Sequence, residues 1–332
     1  HINPTLPKKI LAWYDNSKRK LPWRVGKKSS KRLYYRLLSE FMLQQTQVKT
    51  VIPYFYNFTK KFKTLRSLSK STEKEIIKMW EGLGYYRRAR NLLACSKLLV
   101  KNHNSRLPNS IVEIRKLPGV GAYTANALLG LIYNQPRIAV DGNVKRVFSR
   151  NLNMKEENIK FDVLIEKNKK KLFNTNRHDD FIEALMEFGA LICKPKDPNC
   201  LTCCLKKSCK YFKSSKKIKS FRKKMIKDKN YDIFCYLNKK KQIALAKNSQ
   251  ISFLKNFNMP IIKESNNSTK TQDWNFLKNY KNSISNLKLN INIYYKFSNK
   301  IPSSHKWYSL EKNNEFIPNF TKKIFRQVSS LF

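Results

Sequence analysis

Two sets of side chains in this sequence have the types and intervals that chemistry needs. The first is Cys193-x6-Cys200-x2-Cys203-x5-Cys209, four thiols within seventeen residues. Four thiolates so spaced can close round one iron–sulfur cluster. Zinc is the rival reading, but its sites favour two close Cys-x2–4-Cys pairs, and here only Cys200 and Cys203 are close. Disulfides fit worse, because seven cysteines is an odd number and no secretion signal opens the chain. Cys204 is a spare thiol in the same loop. Cys95 and Cys235, in an apolar helical stretch and a strand-like one, read as buried and inert. The second set is a pair of carboxylates, Glu40 and Asp141. Glu40 flanks the apolar stripe Leu33, Leu37 and Phe41, where burial favours the protonated form that a general acid requires. Its plainer reading is a surface Glu paired with Arg36. The adjoining Gln44-Gln45-Thr46 is too polar for a routine core helix, which favours the functional reading. Asp141 stands where a helix N-cap would be, and capping is its plainer role.

A third signal is Leu117-Pro118-Gly119-Val120-Gly121, which runs into Ala122-Tyr123-Thr124-Ala125. A Pro-Gly-x-Gly turn opening a helix lets backbone N–H groups approach a phosphate. Gly119 and Gly121 are expected to supply unusual dihedrals, and the helix N-terminus supplies partial positive charge. Twenty residues after Gly121 comes Asp141-Gly142-Asn143-Val144-Lys145-Arg146.

The elements that must hold these groups are helical. Periodicity predicts helices over Leu6–Asn16, Leu33–Gln45, Thr72–Trp80, Ala89–Lys101, Tyr123–Tyr133, Asn143–Asn151 and Phe181–Ile192. Pro22, Pro53, Pro108, Pro118 and Pro136 are expected to break the chain between them. Residues 213–229 carry nine Lys or Arg in seventeen positions and read as a basic linker or a phosphate-tracking strap. After it the texture becomes strand-like, over Tyr231–Leu237, Gln242–Ala246 and Ser283–Phe297. Leu289–Ile293 alternates apolar residues with Asn, as a half-exposed strand does. The expected organisation is a mostly α domain over 1–212 that includes the cluster loop, the linker 213–229, and a smaller α+β domain over 230–332.

Across 332 residues, 69 Lys and Arg stand against 22 Asp and Glu, a net charge of +47. Such a surface repels itself unless it meets a polyanion, and nucleic acid is the usual one. Codon drift toward Lys, Asn and Ile accounts for part of the excess but not for the shortage of acids. No apolar run reaches membrane length, and the N-terminus lacks a signal pattern. A reducing, DNA-facing, cytoplasmic setting is expected, nucleoid-associated as in bacteria. The first residue is His, which points to a trimmed start.

The hairpin turn, the later Asp and the cysteine loop together resemble the helix-hairpin-helix DNA glycosylases of the endonuclease III superfamily. Within it, Ser39-Glu40-Phe41-Met42-Leu43-Gln44-Gln45-Thr46-Gln47-Val48 and Gly82-Leu83-Gly84-Tyr85-Tyr86-x-Arg88-Ala89-Arg90-Asn91-Leu92 resemble the adenine DNA glycosylase signatures. The likeness covers most of residues 5–212 and extends more loosely beyond. It implies one 4Fe-4S cluster on Cys193, Cys200, Cys203 and Cys209, and a monomer acting on double-stranded DNA with adenine opposite 8-oxoguanine or guanine. Cleaving an N-glycosidic bond needs a proton for the leaving base and an anion beside the sugar cation, the work of two carboxylates. By resemblance Glu40 protonates adenine and handles the attacking water. Asp141 stabilises or captures the sugar cation, and Tyr123 and Asn143 orient the pair. Bifunctional relatives carry Lys where this chain has Tyr123, so strand cleavage is not expected. Lys145 reads as a phosphate contact. Base flipping needs something to fill the gap, and the resemblance assigns this to Gln45 and Tyr85, with Thr46 and Leu83 facing the partner base. Helix-turn packing is the plainer role of Leu83 and Tyr85. Glu183 and Arg24 match adenine-pocket positions, although Val25 to Arg32 is unusually basic and longer than the family norm. An i,i+4 surface pair with Glu187 is the plainer reading of Glu183. Lys194, Lys196, Lys206 and Lys207 make the cysteine loop a phosphate-binding ledge.

The last third resembles the family's Nudix-like domain, which reads the oxidised guanine. From Lys247 to Asn282 its only acids are Glu264 and Asp273, too few for a magnesium-dependent pyrophosphohydrolase. Where the family has Phe-Ser-His, this chain has Ile284-Ser285-Asn286, which keeps only the Ser285 hydroxyl for the lesion. Two alternatives stand beside this reading. One is an endonuclease III-like glycosylase for damaged pyrimidines, disfavoured by Tyr123 and the Glu40 helix. The other is a non-catalytic DNA-binding relative, disfavoured by the presence of both carboxylates.

Overall fold

The structure is a computed structural model that describes residues 2–215, 227–251, 254–265, 272–284, 287–311 and 317–332. The chain forms two compact units, His1–Phe221 and Arg222–Phe332. The first is helical: α1 (Leu6–Ser17), α2 (Arg32–Leu43), α3 (Val48–Lys61), α4 (Leu65–Ser69), α5 (Glu73–Met79), α6 (Arg87–Asn102), α7 (Ile111–Ile114), α8 (Ala122–Tyr133), α9 (Gly142–Leu152), α10 (Phe161–Lys167), α11 (Lys169–Leu172), α12 (His178–Leu191) and α13 (Lys210–Lys213). Among the described residues, no helix is long and apolar enough to cross a membrane.

Local chemistry sets the helix ends. Thr72 and Glu75 form a capping box that starts α5. Asn134 and Asn153 close α8 and α9 in the left-handed conformation that Asn tolerates. Two expectations need correction. Pro53 does not break the chain but lies inside α3, where it forgoes only the bond to the carbonyl of Lys49 on the exposed first turn. Helix α2 stops at Leu43 rather than Gln45, because Gln44 leaves the helix with ψ 112° and Gln45 then takes φ +57°, which a right-handed helix does not admit.

One apolar cluster joins α1, α9 and α12 through Ile10, Tyr14, Val147, Phe148, Phe181 and Phe188. Leu205 of the cysteine loop is buried in it, and Cys193, Cys203 and Cys204 pack against it. Helix α2 buries Leu37, Leu38, Phe41 and Met42 completely, which fixes the helix that carries Glu40.

In the second unit, β1 (Lys227–Asn238), β2 (Gln242–Lys247), β3 (Asn258–Met259), β4 (Ile261–Glu264), β5 (Asn275–Ile284), β6 (Leu287–Phe297) and β7 (Lys306–Ser309) form one mixed sheet. The path runs β3-β2-β1-β6-β5, with β4 on β1 and β7 on β2. β1 and β6 are parallel, with Tyr231 opposite Ile291. Leu289, Ile291 and Ile293 are buried while Asn290 is exposed, the alternation legible in the sequence. The run expected over Ser283–Phe297 is two antiparallel strands, since Ser283 and Ile284 end β5. β1 starts at Lys227, so the last residues of the expected linker belong to the sheet. An amphipathic helix, α14 (Asn319–Val328), buries Phe320, Ile324, Phe325 and Val328. Cys95 and Cys235 are fully buried, as expected.

Candidate active site

A cavity of about 1010 Å³ opens where α2 and α8 meet α9 and α12, and Glu40, Tyr123, Asp141, Asn143 and Glu183 all line it. Four segments far apart in sequence converge there. Glu40 is 6% exposed, and among the described residues no protein group hydrogen-bonds its carboxyl. Burial pushes that carboxyl up to about 7. The Arg36 guanidinium opposes the rise, while Glu183 and Asp141 add to it. Glu40 therefore holds a proton near neutral pH and has no protein acceptor for it, as a general acid should.

Asp141 is the N-cap of α9, accepting from Val144 N at 2.7 Å through Oδ1. Its other oxygen accepts from Asn143 Nδ2 at 2.9 Å. The cap and the Asn143 contact thus use different oxygens of one carboxylate. Burial raises the Asp141 carboxyl, and the bonds from Val144 and Asn143 oppose the rise. Asn143 is itself held, since Arg146 Nη2 donates to its Oδ1 at 2.7 Å. Arg146 also donates to the carbonyls of Cys193 and Gly189, both at 2.7 Å. One guanidinium thereby ties the cysteine loop to the residue that orients Asp141.

Tyr123 behaves differently from expectation. Its hydroxyl donates to Met186 Sδ at 3.4 Å rather than to either carboxylate. Burial beside Glu40 and Asp141 holds it neutral. Lys145 turns away from the cavity, with its ammonium 5.7 Å from the Phe161 ring centroid. The cavity lining contains one lysine, the exposed Lys49.

Neither of the plainer roles weighed for Glu40 and Glu183 holds, since Glu40 is not a surface residue and Glu183 has no surface pair with Glu187. Asp179, Glu183 and Glu187 form a buried acidic ladder at i, i+4 and i+8 on α12. Basic residues of the segment before α2 and its first turns answer each rung. Lys27 (2.8 Å) and Arg32 (3.0 Å) take Asp179. Arg24 (3.2 Å), Arg36 and the Tyr14 hydroxyl (2.8 Å) take Glu183. Arg19 (2.7 Å) and Arg24 (3.0 Å) take Glu187. Burial favours the neutral Glu183, but the Arg36 and Arg24 guanidiniums outweigh it and hold the carboxyl below its usual range. Glu187 is held down to about 2, where Arg19 and Arg24 override the effect of burial. Of the cations between Val25 and Arg32, Lys27 and Arg32 thus grip the first rung of the α12 ladder, while Arg19, Arg24 and Arg36 on either side hold the other two. The signal in the sequence was the 4-residue spacing of the acids facing a basic segment, a like-charge column that needs counter-ions.

Gln45 and Tyr85 both adopt left-handed backbone, φ +57° and +49°, and both are exposed. Non-glycine residues hold such angles only where their surroundings over-determine them. Arg88 supplies much of that. Its Nη1 donates to the carbonyls of Phe41 (3.3 Å), Met42 (2.7 Å) and Gln44, and its Nη2 to those of Leu83 and Gly84, both at 3.1 Å. One buried side chain so closes the C-terminus of α2 against the Gly82–Tyr85 turn. Arg88 was visible in the motif, and the orphan carbonyls at a helix end were the clue to its role. Leu83 is 5% exposed and packs inside, contrary to the expectation that it faces a partner base. Thr46 lines the cavity. Gly119 has φ +76°, and a side chain there would meet Asn91 and Phe41 at 2.7 Å. Gly121 instead has φ −83° and ordinary extended backbone, contrary to expectation, with open space where a Cβ would stand.

The cysteine loop fits a thiolate-bound cluster. All seven cysteines are free. Burial pushes the Cys193, Cys203 and Cys209 thiols up, and neighbouring thiols of the loop, Cys200 among them for Cys193 and Cys209, add to the rise. Arg150 Nη1 donates to Cys193 Sγ at 3.5 Å, and its Nε is buried without a partner. Two arginines, 146 and 150, thus offset the charge of a thiolate set. Among the described residues no group of three or more His, Cys, Asp or Glu could hold a metal ion. Ser285 lies outside the described residues.

The fold and site define a helix-hairpin-helix base-excision protein. Residues 38–172 match the HhH-GPD superfamily base excision DNA repair protein family. The structure resembles that of a thermostable thymine-DNA glycosylase, with TM-score 0.56 and 28% identity over 63% of this chain and 95% of that one. Within the superfamily the chain belongs to the adenine DNA glycosylase family. It is 37% identical over 319 residues to the adenine DNA glycosylase of Buchnera aphidicola subsp. Baizongia pistaciae, covering 91% of this chain and 90% of the relative. The adenine DNA glycosylase of Buchnera aphidicola subsp. Schizaphis graminum is 36% identical over 301 residues, 87% of this chain and 83% of that one.

Proposed function

We propose that the protein hydrolyses the N-glycosidic bond of adenine opposite 8-oxoguanine or guanine in double-stranded DNA, as a monomer, and leaves the strand intact. The observation that carries this is that Glu40, protonated near neutrality, and Asp141 line one cavity roomy enough for a flipped nucleotide. Glu40 gives its proton to the departing adenine, which turns a poor leaving group into a neutral one. Asp141, held by Asn143, faces the positive charge that develops on the sugar. Glu183, with three of its roughly four lone-pair sites occupied, keeps one for the exocyclic amine. Gln45 and Tyr85 fill the gap left by the flipped nucleotide. The absence of a buried lysine in the cavity lining supports hydrolysis without strand cleavage. The test is chromatographic: duplexes carrying A:8-oxoguanine, A:G, A:T or thymine glycol are incubated with the protein and the freed base is identified by mass. Free adenine from the first two supports the reading, and release of the damaged pyrimidine instead overturns it.

Cys193, Cys200, Cys203 and Cys209 would hold one 4Fe-4S cluster, which supplies a cross-link across the loop rather than chemistry at the sugar. The expected outcome is a brown protein with visible charge-transfer absorbance and about four irons per chain. A colourless protein carrying stoichiometric zinc would contradict the assignment.

The C-terminal sheet domain acts as a Nudix-like lesion reader. The catalytic and base-pocket residues proposed here all lie in the first unit. Removing the second unit is therefore expected to preserve adenine release but to erode the preference for 8-oxoguanine over guanine. Competition between the two duplexes measures this, and an unchanged ratio would assign the discrimination to the helical unit.

A further inference from the structure

We propose that Arg36 is a positioning residue of base excision, a buried guanidinium in the cavity wall that clamps Glu183 and sets the charge environment of Glu40. The inference rests on the glycosylase reading given above. Arg36 precedes Glu40 by four residues on α2, so the two side chains leave the same helix face. The Arg36 side chain is 5% exposed, and its Nη1 donates to Glu183 Oε1. Its Nε is buried with no partner. Arg24, Arg36 and Glu183 line both the base cavity and a second cavity of about 460 Å³ bounded by Tyr14, Lys27 and Arg32. With Arg19 and Leu21, which also line both, the three residues form the partition between the two.

An apolar side chain would fill this wall without the cost of burying a charge. What Arg36 adds is a cation beside two carboxylates with opposite tasks. Glu183 must stay ionised to accept from a base, whereas Glu40 must stay protonated to donate to one. The charged and titratable groups facing Glu40 are Arg36 on its own helix, Glu183 on α12, Asp141 at the start of α9 and the neutral Tyr123 on α8. Burial and the two anions raise the Glu40 carboxyl, and Arg36 alone of these pulls it down. Without the cation, Glu40 would face two anions unopposed and hold its proton more tightly. Glu183 would lose one of its three anchors.

The experiment reads Glu40 directly. The protein is labelled with ¹³C at glutamate carboxyls, the Glu40 resonance is assigned by its loss in Glu40→Gln, and its titration is followed in the parent, Arg36→Met, Arg36→Gln and Arg36→Lys. The midpoint is expected to rise by about one unit in the two neutral variants and to return close to the parent value in Arg36→Lys. The alkaline limb of single-turnover adenine release should move with it. Arg36→Gln can still donate to Glu183, so it keeps the test open if Arg36→Met does not fold. A midpoint and limb that stay in place in a folded neutral variant, with release slowed equally at every pH, would overturn the proposal and leave a merely structural role. The titration needs no substrate, so failure of this inference is distinct from failure of the parent protein to release adenine.

Discussion

Replacing Glu40 by Gln is expected to slow single-turnover adenine release by about 10²–10⁴-fold, the usual worth of general acid catalysis, while raising stability at alkaline pH. Both signs follow from one burial. The carboxyl sits at about 7 in the folded protein against an ordinary value of 4.5. Below pH 4.5 it is protonated in the folded and unfolded chains alike and costs nothing. As the pH rises from there to about 7 the unfolded chain ionises first, so the folded state loses about 3 kcal/mol at most. A neutral amide removes that loss along with the proton. Urea unfolding at pH 8 should therefore show a gain that is absent at pH 4, alongside a protein that still binds the mispaired duplex. In the parent, the same ionisation should make release fall as the pH rises through about 7. A Gln variant that releases adenine at nearly the parental rate would leave the proton without a donor.

Asp141→Asn is expected to lose about 10²–10³-fold in release, the range for removing one electrostatic partner of a developing charge. The substitution separates the two roles of this residue. Asn is as good an N-cap as Asp, so the bond to Val144 N survives and α9 keeps its start. The charge facing the sugar is removed, and with Oδ1 kept for Val144 the new amide nitrogen cannot accept from Asn143 Nδ2, so that orienting bond goes with it. Asp141→Ala removes cap and charge together and should also destabilise the helix by about 1 kcal/mol. Equal release by the parent and Asp141→Asn would return Asp141 to a purely structural cap. Because burial raises the Asp141 carboxyl, release should also decline on the acid side, starting above the usual carboxylate range.

Much of this site was legible in the residues. The helices around Glu40, Tyr123 and Asp141 follow from apolar periodicity, and the thiol spacing marks the cysteine loop. The features that were not legible depend on tertiary electrostatics. Glu183 and Glu187 look like a repelling surface pair until Arg19, Arg24 and Arg36 are brought to them from 147 to 168 residues away in sequence. Tyr123 was read as an orienting group because its position matches one. In the fold, Met186 one helix away takes its hydroxyl instead. The strand over Asn275–Ile284 is mostly exposed and rich in Lys and Asn, so it shows almost no apolar alternation. Leu83 could be given either to the core or to the DNA, and only packing decides for the core.

The central proposal is that the chain uses Glu40 and Asp141 to release adenine and, with no buried lysine among the described residues lining the cavity, leaves the strand uncut. The most direct measurement is a denaturing gel of an end-labelled A:8-oxoguanine duplex after incubation with excess protein, with and without alkali. The predicted result is an intact strand before alkali and a single break at the adenine position after it, lost in Glu40→Gln. A strand cut without alkali, or one left uncut by it, would contradict the account.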